Sequence, residues 1–394
     1  MRCRQALDKI DYLNAVFFQY LAEGAANVVF SITDYHSQLS PFHRAFVFTD
    51  DEDGYVLPSY QFYGKVIRVP KDNEHTLDGQ RIKDGFENDV KPLFRNGFLH
   101  HLMEHEPVEF DSHIAMALDL ELRYVHSDGT TERPRRHEGA IRHETQIALL
   151  MTNMSSTPGT SFTIEFKPKW LVQSPNAPRN AYRCRTCAMR AYANWKEKEP
   201  DEENKHPPAK TYICPLYLFN GDEQIVGPWV HEKILQLIPS FVNPGQEDGV
   251  VGAITTYLTK GDGFALLQHL GIMQKALDPI GVLNHLDATG NHLYSTESNE
   301  SDLLGIEHQL RLAMTLRDCS MFVKVYYSRQ TIAVESKLGD LDFKSVEKVP
   351  GWIEKEKRLV EGGFYMGKEG DAGMNASECC LIATEFRRNL PYHW

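Results

Sequence analysis

The spacing of apolar residues changes along this chain, and that change constrains the fold more than any other feature. The first third carries short β-branched and aromatic runs joined by turns. Asn27 to Ile32, Arg44 to Phe48 and Lys65 to Val69 predict strands. Phe86 to Met103 has helical spacing, with Val90, Leu93, Phe94 and Phe98 on one side. Met116 to Val125, Gln146 to Met151 and Phe162 to Phe166 then predict further strands. Beyond them Val230 to Phe241, Gly263 to Leu277, Leu303 to Arg317 and Lys348 to Glu361 predict helices, with a strand at Met321 to Tyr327. Glu197 to Lys210, Asp287 to Asp302 and Glu361 to Ala376 read as loops. A strand-rich front and a helix-rich back predict an α+β, bilobal chain, divided as 1–152 and 153–394. With 394 residues, 42% of them hydrophobic, there is material for two such lobes.

Composition removes several classes of function. The net charge of -12 gives no reason to expect nonspecific nucleic-acid binding. The charged N-terminus, Arg2 to Lys9, leads into no apolar stretch of signal-peptide type. Leu13 to Ile32 is interrupted by Gln19, Glu23 and Gly24, and no segment reaches membrane-spanning length without charges. A soluble intracellular protein is expected, with its seven cysteines reduced.

Four segments have the residue types for phosphate chemistry. In Glu23-Gly24-Ala25-Ala26-Asn27, small residues let the backbone approach phosphates, although a turn between two strands explains them equally well. In Gly64 to Val69, Lys65 and Arg68 alternate with β-branched residues, as a cation reaching into a cleft or an edge strand in solvent would. Glu165-Phe166-Lys167-Pro168-Lys169-Trp170 is the strongest segment. In an extended chain Glu165, Lys167 and Lys169 share one side, which suits several phosphates or, more plainly, a solvated strand end. Around it, Lys167, Lys169, Arg179, Arg183, Arg185 and Arg190 face the single acid Glu165, within an acidic chain. Arg123 to Arg142 adds a second basic cluster that includes Arg133, Arg135 and Arg136. Such forks match a small polyanion, and a basic patch that binds nothing is the alternative.

These segments together resemble the inositol-pentakisphosphate 2-kinases. Glu165 to Lys169 resembles their EIKPK motif, and EGAANVV from Glu23 resembles their nucleotide loop. Leu316-Arg317-Asp318-Cys319-Ser320-Met321-Phe322 resembles their (R/K)DCS segment, and Asp340-Leu341-Asp342-Phe343-Lys344 their late DLDxK segment. The motifs occur in family order over roughly residues 20 to 350. The resemblance implies a kinase-like fold that moves the γ-phosphoryl of ATP to the 2-hydroxyl of inositol 1,3,4,5,6-pentakisphosphate, giving the hexakisphosphate. It implies Asp318 at the 2-hydroxyl, aided by Lys167, and Asp340 as the Mg²⁺ ligand. Glu23, Gly24, Ala25, Ala26, Asn27, Arg68 and Glu165 then belong to the nucleotide or its metal. Arg133, Arg136, Lys167, Lys169, Arg190, Lys344 and Lys348 belong to the inositol phosphates. A monomer is expected, in the nucleus or cytoplasm.

The chain departs from the pattern in four places. Ala22 stands where a loop glycine is expected, and Phe166 replaces Ile. Lys348 and Trp352 occupy the spacing at which an Arg and a Tyr are expected, removing a bidentate fork and a hydroxyl. Cys184-Arg185-Thr186-Cys187 resembles fungal members and has zinc-ligand spacing; Cys214 and His206 can complete four ligands. Reduced cysteines packed under a helix are the other reading, and the Cys379-Cys380 doublet reads as structural or incidental. Neither an HRD loop nor a DFG triplet is present, which argues against a protein kinase. A noncatalytic inositol-phosphate sensor on the same fold is the competing reading.

Overall fold

A computed structural model describes residues 1–34, 44–73, 76–95, 97–128, 133, 139–196, 212–235, 247–285, 300–328, 331–366 and 379, without the side chains of 124–128, 285 and 300–304. The chain is mixed helix and sheet, as an α+β class requires. It divides into two compact units. One comprises 1–92 and 103–153; the other comprises 93–102 and 154–394.

The first unit contains β1 (Arg2–Gln5), α1 (Lys9–Leu13), β2 (Phe17–Glu23), β3 (Asn27–Thr33), β4 (Phe46–Thr49), β5 (Lys65–Pro70), α2 (Gly79–Gly85), β6 (Glu106–Phe110), α3 (Ser112–Asp128) and β7 (Gln146–Thr152). Its seven strands form one sheet in the order β2-β3-β5-β7-β6-β1-β4, antiparallel except for β1 beside β6. Alternation explains the central strands. In β3, Val28, Phe30 and Ile32 are buried while the residues between them are half-buried. Those three pack with Phe18, Phe48, Ile67, Val69 and Phe110 in one core.

Two expectations fail between Phe86 and Val125. Residues 116–125 are helix α3, not a strand. Ile114, Leu118 and Leu122, spaced by four, enter the sheet's core, and the Asp111 carboxylate caps the start by accepting from Ile114 N at 3.0 Å. Phe86 to Met103 is no single helix. A π turn over Phe86–Val90 passes into 3₁₀ turns at Lys91–Phe94 and Leu99–His101. Pro92 lacks an N–H to donate, and Gly97 takes φ +93.

The second unit contains β8 (Ser161–Phe166), α4 (Arg185–Lys196), α5 (Pro215–Asn220), α6 (Glu223–Leu235), α7 (Glu247–Thr259), α8 (Asp262–Leu277), α9 (Glu300–Leu316), β9 (Ser320–Tyr327), β10 (Ile332–Gly339) and α10 (Val349–Glu361). Strand β9 is central in a three-stranded antiparallel sheet, with β10 and β8 at its sides. The register decides what meets. Phe166 pairs with Met321, and Ser320 pairs with Gly339. The end of β8, the start of β9 and the end of β10 therefore lie at one edge, and the segments carrying Lys167, Asp318 and Asp340 leave from it.

Candidate active site

At that edge, chain direction brings together residues far apart in sequence. The Lys167 ammonium donates to the Asp318 carbonyl at 2.7 Å and to Asp340 Oδ2 at 2.5 Å. Lys169 Nζ donates to Asp318 Oδ1 at 3.0 Å, and Lys344 Nζ to Asp318 Oδ2 at 2.9 Å. Lys167 Nζ also lies 3.8 Å from Asp318 Oδ1. One carboxylate thus faces three ammonium groups. Burial alone would raise the Asp318 pKa, but Lys344, Lys169 and Lys167 outweigh it and hold the carboxyl well below the usual range. Burial likewise opposes the charge on Lys167, and Asp340 and Asp318 overcome it, raising its pKa. The cluster stays open to solvent, since the Asp318 side chain is 45% exposed.

The backbone around these groups is unusual and firmly tied. Strand β8 stops at Phe166, and Lys169 adopts φ +57, so the simple alternation expected from Glu165 to Lys169 ends there. Glu165 remains exposed on β8. Asp340 also takes a left-handed conformation, φ +56. Lys344 is fastened to α9: its N–H donates to Thr315 Oγ1 at 3.1 Å, and its carbonyl accepts from Arg311 Nε at 2.7 Å. Arg311 also lies over the Phe343 ring, 4.2 Å from the centroid. Burial and neighbouring Lys344 lower the Lys348 pKa, opposed by Asp318, Asp342 and Asp340, so Lys348 shares the field of this cluster. Cys319 lies inside the RDCS-like segment but is buried, with Sγ 3.2 Å from the Leu316 carbonyl. Burial pushes its thiol up to about 12, which makes it inert at neutral pH.

The residues expected at a nucleotide form a separate constellation in the first unit. Glu23 and Asn27 flank the turn between β2 and β3. The Glu23 carboxylate, with no exposed side-chain surface, pairs with Lys71 and receives both Arg133 Nε at 2.7 Å and Arg133 Nη2 at 3.0 Å. Burial would raise its pKa, but Arg133 and Lys71 prevail and lower it. Lys71 Nζ also donates to the Gly24 carbonyl at 2.7 Å, and Lys71 N donates to that of Ala26 at 2.9 Å. With its amide oxygen turned toward Arg68, Asn27 accepts from Nε at 3.2 Å and Nη2 at 2.6 Å. Arg133 therefore sits on Glu23, while Arg136 lies outside the described residues. Lys71, the residue directly after β5, was missed; only its place at a strand end could have marked it.

Four buried cysteines form a third constellation. The sulfurs of Cys184, Cys187, Cys214 and Cys379 lie within 4.8 Å of one another, and all four are free thiols. Cys184 Sγ is 3.7 Å from Cys214 Sγ. Cys184 N–H donates to Cys379 Sγ at 3.3 Å, and Cys187 N–H to Cys184 Sγ at 3.4 Å. Nothing in the spacing of Cys379 announces a partner so distant in sequence, so its doublet looks structural or incidental until the fold brings it here. His206 lies outside the described residues. Arg190, on α4, lies over the Tyr212 ring at 4.1 Å beside this cluster, where Tyr212 OH is 3.0 Å from Cys187 Sγ.

A sequence model described as inositol-pentakisphosphate 2-kinase matches residues 20–358, which contain the whole lysine–aspartate cluster. The chain belongs to the inositol-pentakisphosphate 2-kinase family. It is also similar to the inositol-pentakisphosphate 2-kinase of Yarrowia lipolytica (strain CLIB 122 / E 150), 34% identical over 206 residues. That match covers 52% of this chain and 54% of the relative, so it spans about half of each. The described helices include none long and apolar enough to cross a membrane.

Proposed function

We propose that this family member is an ATP-dependent inositol-phosphate kinase of bilobal, kinase-like architecture. It transfers the γ-phosphoryl group of ATP to the 2-hydroxyl of inositol 1,3,4,5,6-pentakisphosphate. The first unit serves the nucleotide, through the Glu23–Asn27 turn and Arg68. The second serves the inositol phosphate. The observation that carries this reading is the Asp318 carboxylate held among Lys344, Lys169 and Lys167 beside Asp340.

Phosphoryl transfer needs positioning and charge neutralisation more than covalent catalysis. Without substrate, three lysines share one carboxylate, and Asp318 is too acidic to take a proton well. A polyphosphate competes for those ammonium groups. As they turn to phosphate oxygens, Asp318 is released from them and becomes a better acceptor for the hydroxyl proton. The substrate thereby prepares its own base. Lys167, in contact with both Asp318 and Asp340, can neutralise charge on the transferred group, while Lys169, Lys344 and Lys348 supply cations to the remaining phosphates; Arg133 is instead committed to Glu23, and Arg190 lies over Tyr212. Asp340 offers an oxygen ligand to Mg²⁺, and Glu165 on β8 orients nucleotide or metal. Bound Mg²⁺ would neutralise phosphate oxygens there.

Structural zinc belongs to the same reading, and the cysteine cluster fits it. A tetrahedral Zn–S distance of about 2.3 Å requires sulfurs roughly 3.8 Å apart, close to the Cys184–Cys214 separation. Backbone N–H groups already point at two of the sulfurs. Cys379 supplies a fourth thiol without His206.

The deciding experiment is incubation with Mg-ATP and inositol 1,3,4,5,6-pentakisphosphate, followed by chromatography of the inositol phosphates. The hexakisphosphate is the expected product. Nucleotide and pentakisphosphate binding without any product would favour the sensor reading.

A further inference from the structure

Gln274 lies in the last turn of α8 and is fully buried. Its side chain is committed to the backbone of two other segments. Oε1 accepts from Leu171 N at 3.0 Å, and Nε2 donates to the carbonyls of Lys169 at 2.9 Å and Leu316 at 3.4 Å. One segment carries Lys169 and the other leads, two residues on, to Asp318. Lys169 also needs restraint, because the left-handed region is unfavourable for a residue with a Cβ and here φ is +57.

The neighbouring contacts tie the same two segments. The Gln274 carbonyl accepts from Arg317 Nη2 at 3.3 Å, and Asp278 Oδ2 accepts from Arg317 Nη1 at 2.6 Å. The Arg317 guanidinium lies over the Trp170 ring, 3.6 Å from its centroid. Residues directly beside Lys169 and Asp318 are thus joined to each other and to the end of α8.

We infer that Gln274 is a positioning residue: its buried amide holds Lys169 in its left-handed conformation and fixes the Lys169 and Asp318 segments at the separation their ion pair requires. It does so without touching substrate. The inference rests on the reading of Lys169 and Asp318 as parts of the phosphoryl-transfer site.

Gln274→Met keeps the volume and removes all three hydrogen bonds. The single-turnover rate with Mg-ATP should fall about tenfold, and the KM for inositol 1,3,4,5,6-pentakisphosphate should rise about tenfold, while the KM for ATP stays within about twofold. In a Lys169→Ala background the effect on the pentakisphosphate KM should shrink to below about twofold, because the cation being positioned is gone. An equal factor in both backgrounds would mean general loosening and would overturn the inference. Should Gln274→Met fail to fold, Gln274→Glu provides a second route. It keeps an acceptor for Leu171 N, and its carboxyl regains a donor for the Lys169 carbonyl only when protonated. Its activity relative to wild type should therefore rise as pH falls; a ratio flat with pH would count against the proposal. Asp318→Asn, run in parallel, separates the two failures. Full turnover there removes the site reading itself, whereas an inactive Asp318→Asn beside a wild-type-like Gln274→Met removes only the role of Gln274.

Discussion

Both units contain a carboxylate surrounded by cations, yet the two arrangements differ in kind. Glu23 has no exposed side-chain surface and is matched by Lys71 and Arg133, themselves 3% and 8% exposed. Its partners have little room to leave, and removing the acid would strand two buried charges. Asp318 is 45% exposed, and its three lysines have side-chain exposures from 10% to 39%. There the ion pairs reach solvent, and the cations can exchange the acid for another anion. The same side-chain chemistry closes a turn in one place and holds a site ready in the other, and burial makes the difference.

Several substitutions can break that contrast. The largest effect is expected from Asp318→Asn, which should lower turnover by about 10²–10⁴-fold while pentakisphosphate binding, followed by titration calorimetry, stays equal or tightens. Wild-type turnover would remove Asp318 from the chemistry. Glu23→Gln should instead destabilise the fold by about 3–5 kcal/mol in denaturant unfolding, as the loss of one partner from a buried ion cluster does. A neutral result would show the triad to be as exchangeable as the site. Cys379→Ser should weaken zinc retention by at least about tenfold, measured as metal content after chelator challenge, with turnover less affected than thermal stability. Zinc-free wild-type protein of unchanged stability would exclude the metal.

Lys169→Ala should weaken pentakisphosphate binding by about tenfold at low salt, typical of one charge-assisted contact. That loss should diminish as salt rises; an unchanged affinity would make Lys169 a solvated strand-end charge. The smallest effect concerns acid. The Glu23 pKa is lowered in the fold, so its stabilisation is complete above the unfolded carboxyl value of about 4.3 and fades as pH falls toward the folded one. The stability gap between wild type and Glu23→Gln should therefore narrow below about pH 4. A gap that widened in acid would contradict the ion-pair account.

The members of the lysine–aspartate cluster stood out in the sequence because each sits in a short segment that resembles a family motif. Lys167 and Lys169 flank Pro168, and Asp340 and Lys344 occupy one short polar stretch. What no local pattern carries is long-range register. Strand β10 escaped notice because its first residues, Ile332 and Ala333, are exposed and its alternation toward the core is weak. Helix α3 was misread because Met116 to Val125 is apolar enough to suit either state, and only its fit onto the sheet decides between them. Lys71, Cys379 and Gln274 were missed for a related reason. Each acts on partners 42 to 195 residues away, through contacts that exist only once the chain has folded.

Lys169 and Asp340 are the two described non-glycine residues with positive φ, and both belong to the same cluster. Glycine would satisfy the backbone better at each position, with the greater relief at Lys169, because Asp tolerates this region more readily than Lys. Residue choice for folding and residue choice for chemistry therefore pull in opposite directions at these two sites. Lys169→Gly or Asp340→Gly could yield a sturdier scaffold with an impaired centre. Any effort to harden this chain by relieving its strained backbone would begin by dismantling what the strain supports.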